Sequence, residues 1–146
     1  MTLQLVDLDP DDPRLISDVL PVLRELRPNL TAEAFTAVYR EGHPQGLRFT
    51  AAFRAGRCVG VAGWRIIATT YLLRKLYVDD LITAAGTRSN GVGGTLLAEL
   101  ERRAVAAGCG ALDLDSGVHR HDAHRFYFRE RMAITAYHFA KHLDPS

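Results

Sequence analysis

Apolar residues recur along the chain with two periods, and the switches between them mark out the elements. From Thr2 to Leu8 apolar and polar residues alternate, which predicts a first strand. Asp9-Pro10-Asp11-Asp12-Pro13 then supplies capping acids and a proline suited to a helix start. Leu15, Ile16, Val19, Leu20, Leu23 and Leu26 follow at helical spacing, predicting a helix to about Arg27 that Pro28 ends. Pro21 inside it predicts a kink or a short break. Thr31 caps a second, shorter helix with Phe35 and Val38 on its buried stripe, closed by Gly42-His43-Pro44 and Gly46.

The texture then changes to β-rich runs. Leu47 to Arg54 and Arg57 to Thr69 are joined at Ala55-Gly56, a turn that suits a hairpin, and Tyr71 to Thr83 is a third run. Three adjacent strands with short links predict an antiparallel meander. Ala84 to Asn90 is a loop of small and polar residues. Gly91 to about Ala107 is helical again, with Leu96, Leu97, Leu100, Ala104 and Val105 as the apolar stripe. On its wet face Glu99 is spaced to pair with Arg102 and Arg103, and Gly108 sits where a C-terminal cap belongs. A strand over Ala111 to Asp115, a helix from about Asp122 to Arg131 and a last strand near Ile134 to Ala140 complete the chain. The order β-α-α-β-β-β-α-β-α-β predicts a single α/β (α+β) domain, residues 1–146, with a mixed, mostly antiparallel sheet flanked by helices.

Charge and cysteine usage narrow the function classes. The formal net charge is +1, which argues against a dedicated nucleic-acid binder, so any bound anion has to be held locally. Cys58 and Cys109 show no metal spacing and fit a reducing, cytoplasmic setting. The N-terminus has no basic region followed by an apolar run, and no stretch approaches the ~20 apolar residues of a spanning helix, so no membrane role is expected.

The most informative stretch is Arg88-Ser89-Asn90-Gly91-Val92-Gly93-Gly94-Thr95, where a strand feeds a glycine-rich loop that opens an amphipathic helix. The first N–H groups of a helix have no internal partner, and the helix dipole adds partial positive charge there. That is a ready phosphate site, which glycines let the ligand approach closely and beside which Arg88 adds a charge. The Walker A ending Gly-Lys-Ser/Thr is missing, and so is the full G-x-G-x-x-G with its βαβ unit. What remains is R-x-x-G-x-G after a long strand.

Arg88-Ser89-Asn90-Gly91-Val92-Gly93 resembles the acetyl-CoA pyrophosphate loop of the GNAT N-acetyltransferases, Q/R-x-x-G-x-G/A. Leu76-Tyr77-Val78-Asp79-Asp80-Leu81-Ile82-Thr83 is similar to that family's fourth strand, and Ala123-His124-Arg125-Phe126-Tyr127 to its later tyrosine-bearing helix. The resemblance implies that the fourth and fifth strands splay and that the backbone of Leu81, Ile82 and Thr83 holds the pantetheine arm and the acetyl carbonyl. It implies that backbone N–H groups from Ser89 through Asn90, Gly91, Val92, Gly93 and Gly94 to Thr95 hold the pyrophosphate. Acetyl-CoA is then the co-substrate, a primary amine of a small molecule or peptide the acceptor, and a homodimer an open option. One departure is visible: Glu130-Arg131-Met132-Ala133 stands where the family often has a glycine-aromatic pair.

The chemistry this implies needs a neutral amine, whereas an amine of pKa near 10.4 is about one part in a thousand neutral at pH 7. A carboxylate near the acceptor helps remove its proton. Asp79 and Asp80 precede the implied acetyl site, and strand alternation predicts that at most one of them faces the acceptor. The resemblance favours Asp79 as that catalytic group, with Tyr127 as the acid that protonates the leaving thiolate. Phe126 and Phe128 read as packing residues. His119, His121 and His124 span a loop and a helix start without a partner cysteine, so no metal is expected. Arg27, Phe35, Tyr39, Trp64 and Tyr137 are acceptor-pocket candidates, although taken singly each aromatic reads more readily as core and Arg27 as solvated surface. Two other readings stay open: a transferase using another acyl-CoA, and a non-catalytic acyl-CoA-binding sensor.

Overall fold

The strands fall where alternation places them, and the hydrogen-bond ladder joins them in the order β1-β2-β3-β4-β5. A computed structural model of the chain describes residues 2–87 and 90–144. The described chain divides into two units, the first ending at Leu114 and the second beginning at Asp115.

In the first unit, β1 (Leu3–Leu8), β2 (Arg48–Arg54), β3 (Arg57–Thr69) and β4 (Leu73–Thr83) pair antiparallel, and β5 (Ala111–Leu114) adds to β4 in parallel. The β2–β3 hairpin turns at Ala55 and Gly56, with φ of 53° and 76°, the double left-handed turn that matches strand twist. The first helical region begins as a π-helical segment, Leu15–Val19, in which the Leu20 N–H reaches back to the Leu15 carbonyl, and continues as α1, Leu20–Leu23. Pro21 stands at the start of α1, where its missing N–H costs nothing, so the predicted break occurs and the α-helical part stops short of Arg27. α2 (Ala32–Gly42) is capped by the Thr31 hydroxyl, which accepts from the Ala34 N–H at 3.1 Å. Phe35 is buried, but Val38 is 49 % exposed, so the stripe is narrower than its periodicity predicts.

The two faces of the sheet are filled differently. Val61 joins Leu23, Phe35, Tyr39 and Phe49 in the core beneath α1 and α2. Its neighbour Gly60 faces the other way, toward Val92 and Leu96 of α3 (Val92–Ala106). A Cβ on Gly60 would come within 2.7 Å of the Val92 Cγ1, so the helix lies closer to β3 than any other residue would permit. Tyr39, an acceptor candidate in the sequence, is core instead: its hydroxyl donates to the Leu8 carbonyl at 2.6 Å and accepts from the Phe49 N–H at 3.3 Å. Trp64 is likewise structural, its Nε1 donating to the buried Thr50 hydroxyl at 3.0 Å.

Glu99 makes the two pairs its spacing predicts, to Arg102 Nη2 at 2.6 Å and Arg103 Nε at 2.7 Å. Arg103 is not simply on the wet face, since its Nη1 also reaches Asp7 of β1 at 2.8 Å and its guanidinium lies over the Trp64 ring. Hydrogen bonds from Arg102 and Arg103 lower the Glu99 carboxyl to about 2. A depressed carboxylate contributes stability above its unfolded value, and that contribution is lost as pH falls from about 4.5 toward 2. Because water screens this helix-surface cluster, the share is on the order of 1 kcal/mol rather than the full shift. Glu99→Gln is therefore expected to lower Tm by about 3 °C at pH 6 and by almost nothing at pH 2.5, read by thermal circular dichroism.

In the second unit α4 spans His121–Arg129. It ends in a Schellman turn: Met132 N–H bonds the Tyr127 carbonyl, Arg131 N–H bonds that of Phe128, and Arg131 takes φ 65° where glycine is usual. The predicted last strand over Ile134 to Ala140 is absent. Tyr137 and Phe139 are 86 % and 92 % exposed, and among the described residues this segment joins no ladder, without which alternation alone makes no strand. Phe128 is exposed rather than packed.

Candidate functional site

The site is built around an irregularity in β4. On β3, Gly63 pairs with Asp80 while the next residue, Trp64, pairs with Val78. Asp79 is the extra residue of a β-bulge. A bulge interrupts the alternation of side chains and re-aims them. As a result Asp79 and Asp80 both line one cleft, where strict alternation predicts at most one.

Each carboxylate is gripped by an arginine. Arg65 on β3 donates through Nε and Nη2 to the two oxygens of Asp79, both at 3.0 Å. Arg27, just beyond α1, donates through Nε at 2.9 Å and Nη2 at 2.6 Å to Asp80 Oδ1, and reaches the Asp79 carbonyl at 3.4 Å. Two influences oppose each other at Asp79. Burial pushes its carboxyl above the usual value, and the Arg65 pair pulls it down. Burial prevails, and the neighbouring Asp80 charge adds to it. Asp79 is thus a stronger base than an ordinary aspartate, held in one orientation. Arg65 gives no signal in the sequence, because cross-strand partners at a bulge are not visible there; two acids in mid-strand, where acids are depleted, are the only hint.

The cleft measures about 620 Å³ and runs between the α1–α2 region and β4. Phe35 and Phe49 form its floor, edge to face at 5.3 Å, and Leu26, Leu30 and Val38 its walls. Of the acceptor candidates, Arg27 and Phe35 line it; Tyr39 and Trp64 do not, and Tyr137 lies in the second unit.

Beyond the bulge β4 loses its outer neighbour. The β5 ladder covers Lys75–Val78 only, whereas β4 continues through Leu81 and Ile82 to Thr83. Among the described residues no strand pairs the outer edge of Asp79–Thr83. The chain then turns at Ala84–Thr87, pinned by the Thr87 hydroxyl on the Ala84 carbonyl and by Glu25, which accepts from the Ala85 N–H at 3.0 Å. Arg88 and Ser89 lie outside the described residues. Asn90 N–H donates to the Thr87 carbonyl, and Gly91, at φ 77°, caps α3 without a side chain. Thr95 N–H and hydroxyl both bond the Gly91 carbonyl at 3.0 Å. The N–H groups of Asn90 and Thr95 are therefore engaged internally, whereas among the described residues Gly91, Val92, Gly93 and Gly94 stand at the helix start, where N–H groups lack an intrahelical acceptor.

In the second unit Tyr127 is half-buried on α4; burial pushes its hydroxyl up, opposed by the charge and hydrogen bond of Arg120. His124 Nε2 pairs with the Gly117 carbonyl at 2.8 Å and packs near His121. Among the described residues no group of three His, Cys, Asp or Glu side chains is placed to hold a metal.

A bulged acidic strand, an open strand edge and a glycine-capped helix start follow one another in the order that the sequence resemblance implies, and residues 14–132 match the acetyltransferase (GNAT) family. The chain belongs to that family. Among curated relatives, it is 45 % identical over 60 residues to the uncharacterized N-acetyltransferase YhdJ of Bacillus subtilis (strain 168), 41 % of this chain and 42 % of that one. It is 35 % identical over 66 residues to the aminoalkylphosphonate N-acetyltransferase of Salmonella typhimurium (strain LT2), 45 % of this chain and 43 % of that one. The chain thus spans less than half the length of the curated relatives it matches. Among solved structures, the aminoglycoside N-acetyltransferase AAC(6')-Iy in complex with CoA superposes with a TM-score of 0.82 at 14 % identity, over 97 % of this chain and 95 % of that one. That likeness shows a shared GNAT fold.

Proposed function

We propose that this chain transfers the acetyl group of acetyl-CoA to the nitrogen of a small primary amine within a ternary complex. The observation that carries the reading is the bulge that turns both Asp79 and Asp80 into one apolar cleft, immediately before a free strand edge and an uncapped helix start. The fit of a diphosphate-bearing thioester rests on Gly91, whose missing side chain leaves the first donors of α3 uncapped, and on the strand edge of Leu81, Ile82 and Thr83, which offers backbone groups to an amide-bearing arm. The CoA complex of the aminoglycoside N-acetyltransferase supports the choice of co-substrate.

In the reaction the neutral amine nitrogen attacks the thioester carbonyl carbon, the C–N bond forms and the C–S bond breaks. Asp79, directly or through water, takes the amine proton, and Arg65 keeps its carboxylate aimed. The thiolate takes a proton from Tyr127, whose raised hydroxyl is fully protonated at neutral pH. Direct transfer is favoured over an acyl-cysteine relay: burial pushes the Cys58 thiol up to about 11, and Cys109 follows the far end of α3, a helix about 22 Å long. Both cysteines are unpaired, which fits a cytoplasmic setting, and no helix among the described residues is long and apolar enough to cross a membrane.

The test is amine-dependent release of CoA thiol from acetyl-CoA by the purified chain, with the acetylated amine identified by mass. Tyr127→Phe is expected to lower kcat by about 10- to 100-fold with little change in KM for acetyl-CoA, because a thiol is a fair leaving group without help. Rates unchanged by Tyr127→Phe would remove that residue from the mechanism, and acetyl-CoA consumption independent of any amine would overturn the transferase reading.

A further inference from the structure

We infer that the acceptor is a monoamine carrying a compact apolar group, such as an arylalkyl or branched alkyl chain, rather than a polycation or a zwitterion. This rests on the cleft of Asp79 and Asp80 being the acceptor site. The lining supports it by charge. Among the described residues Asp79 and Asp80 are the cleft's only acidic lining residues; Arg27 in the lining holds one and Arg65 behind it the other, so these four formal charges sum to zero. A polyamine or aminoglycoside would bring further ammonium groups against the apolar side chains of Leu26, Leu30 and Val38, where no further carboxylate among the described lining residues pairs them. An amino acid or aminophosphonate would need a cation for its anion, and Arg27, the one cation lining the cleft among the described residues, already spends Nε and Nη2 on Asp80.

The lining also supports it by shape. The floor is two buried aromatic rings in edge-to-face contact, and the wall includes Val38, which helical periodicity places on a buried stripe and the fold leaves 49 % exposed at the cleft. An apolar substituent of the acceptor covers Val38 and gains the burial that the fold withholds. The volume of about 620 Å³ takes such a molecule beside the acetyl-bearing arm, within the usual range for small-ligand sites.

The experiment measures kcat/KM by CoA release for phenethylamine, isoamylamine, spermidine, neamine and 2-aminoethylphosphonate. Binding of each is followed in parallel by methyl chemical shifts of Val38 and Leu30. The two apolar monoamines are expected to exceed the other three by about tenfold or more, the scale on which an apolar pocket discriminates. Val38→Asp adds a carboxylate at an exposed rim position and is expected to move the spermidine-to-phenethylamine ratio up by about tenfold. Preference of the parent chain for spermidine, neamine or the phosphonate would overturn the inference while keeping acetyl transfer. So would a ratio that stays within about twofold in Val38→Asp. Phenethylamine, and not spermidine, neamine or the phosphonate, shifting the Val38 and Leu30 methyls with no CoA released from any amine would overturn transfer and keep only the cleft's selectivity for an apolar monoamine. Neither release nor shifts would overturn both.

Discussion

Gly91→Asp is expected to weaken acetyl-CoA binding by about a hundredfold, some 2.7 kcal/mol, while leaving Tm within about 3 °C. Gly91 stands at φ 77°, and a Cβ there would meet nothing within 4 Å, so the substitution introduces no clash. The left-handed conformation costs a non-glycine residue about 1 kcal/mol, and aspartate tolerates it better than most. An aspartate at a helix cap also offers its carboxylate to the first N–H groups, which returns about the same amount. Fold stability therefore barely changes, while the donors of Val92, Gly93 and Gly94 turn to an internal anion and a negative charge faces the incoming diphosphate. Gly91→Ala carries the backbone strain without the charge and is expected to lose less than about tenfold. Isothermal calorimetry with acetyl-CoA compares the two. Equal affinities for parent and Gly91→Asp would mean that the diphosphate sits elsewhere.

Asp79→Asn is expected to cut kcat/KM about a hundredfold at pH 7 and less than tenfold at pH 9.5. The sign follows from the two groups involved. The acceptor amine gains neutral population with each unit of pH, so the need for a base shrinks as pH rises. Asp79 sits above the usual carboxylate value because burial outweighs Arg65, so the parent's acid limb falls at a higher pH than an exposed aspartate would give. Asparagine keeps one acceptor for Arg65, which limits disturbance of the bulge. A loss of equal size across the whole pH range would make Asp79 a positioning residue for Arg65 and the strand instead of a base.

How much of this was legible in the sequence depends on whether a feature is local. The start of α3 was readable because Gly91 and Gly93 and the stripe of Leu96, Leu97, Leu100 and Ala104 act within one turn or one helix; Val105, read on the same stripe, is 74 % exposed. The hairpin at Ala55-Gly56 and the caps at Thr31 and Gly108 were readable for the same reason. The bulge was not, because it is a mismatch of register between β3 and β4, and register belongs to two strands at once. With the bulge hidden, alternation sent Asp79 and Asp80 to opposite faces, and Arg65 had no reason to be singled out. Val38 and the segment from Ile134 to Ala140 failed differently: their patterns were read correctly as apolar, but burial requires a partner, which periodicity does not supply. The turn at Arg131 takes the left-handed form that glycine usually takes, at the stretch where the sequence departs from the family pattern.

Gly60 sets a further condition on the whole arrangement. It holds Val92, the first residue of α3, in contact with β3 from below, so the height of the helix start above the sheet is fixed by a missing methyl group and not by the loop that leads to it. A chain of this family with a larger residue at that position would have to move its anion seat outward along with the helix.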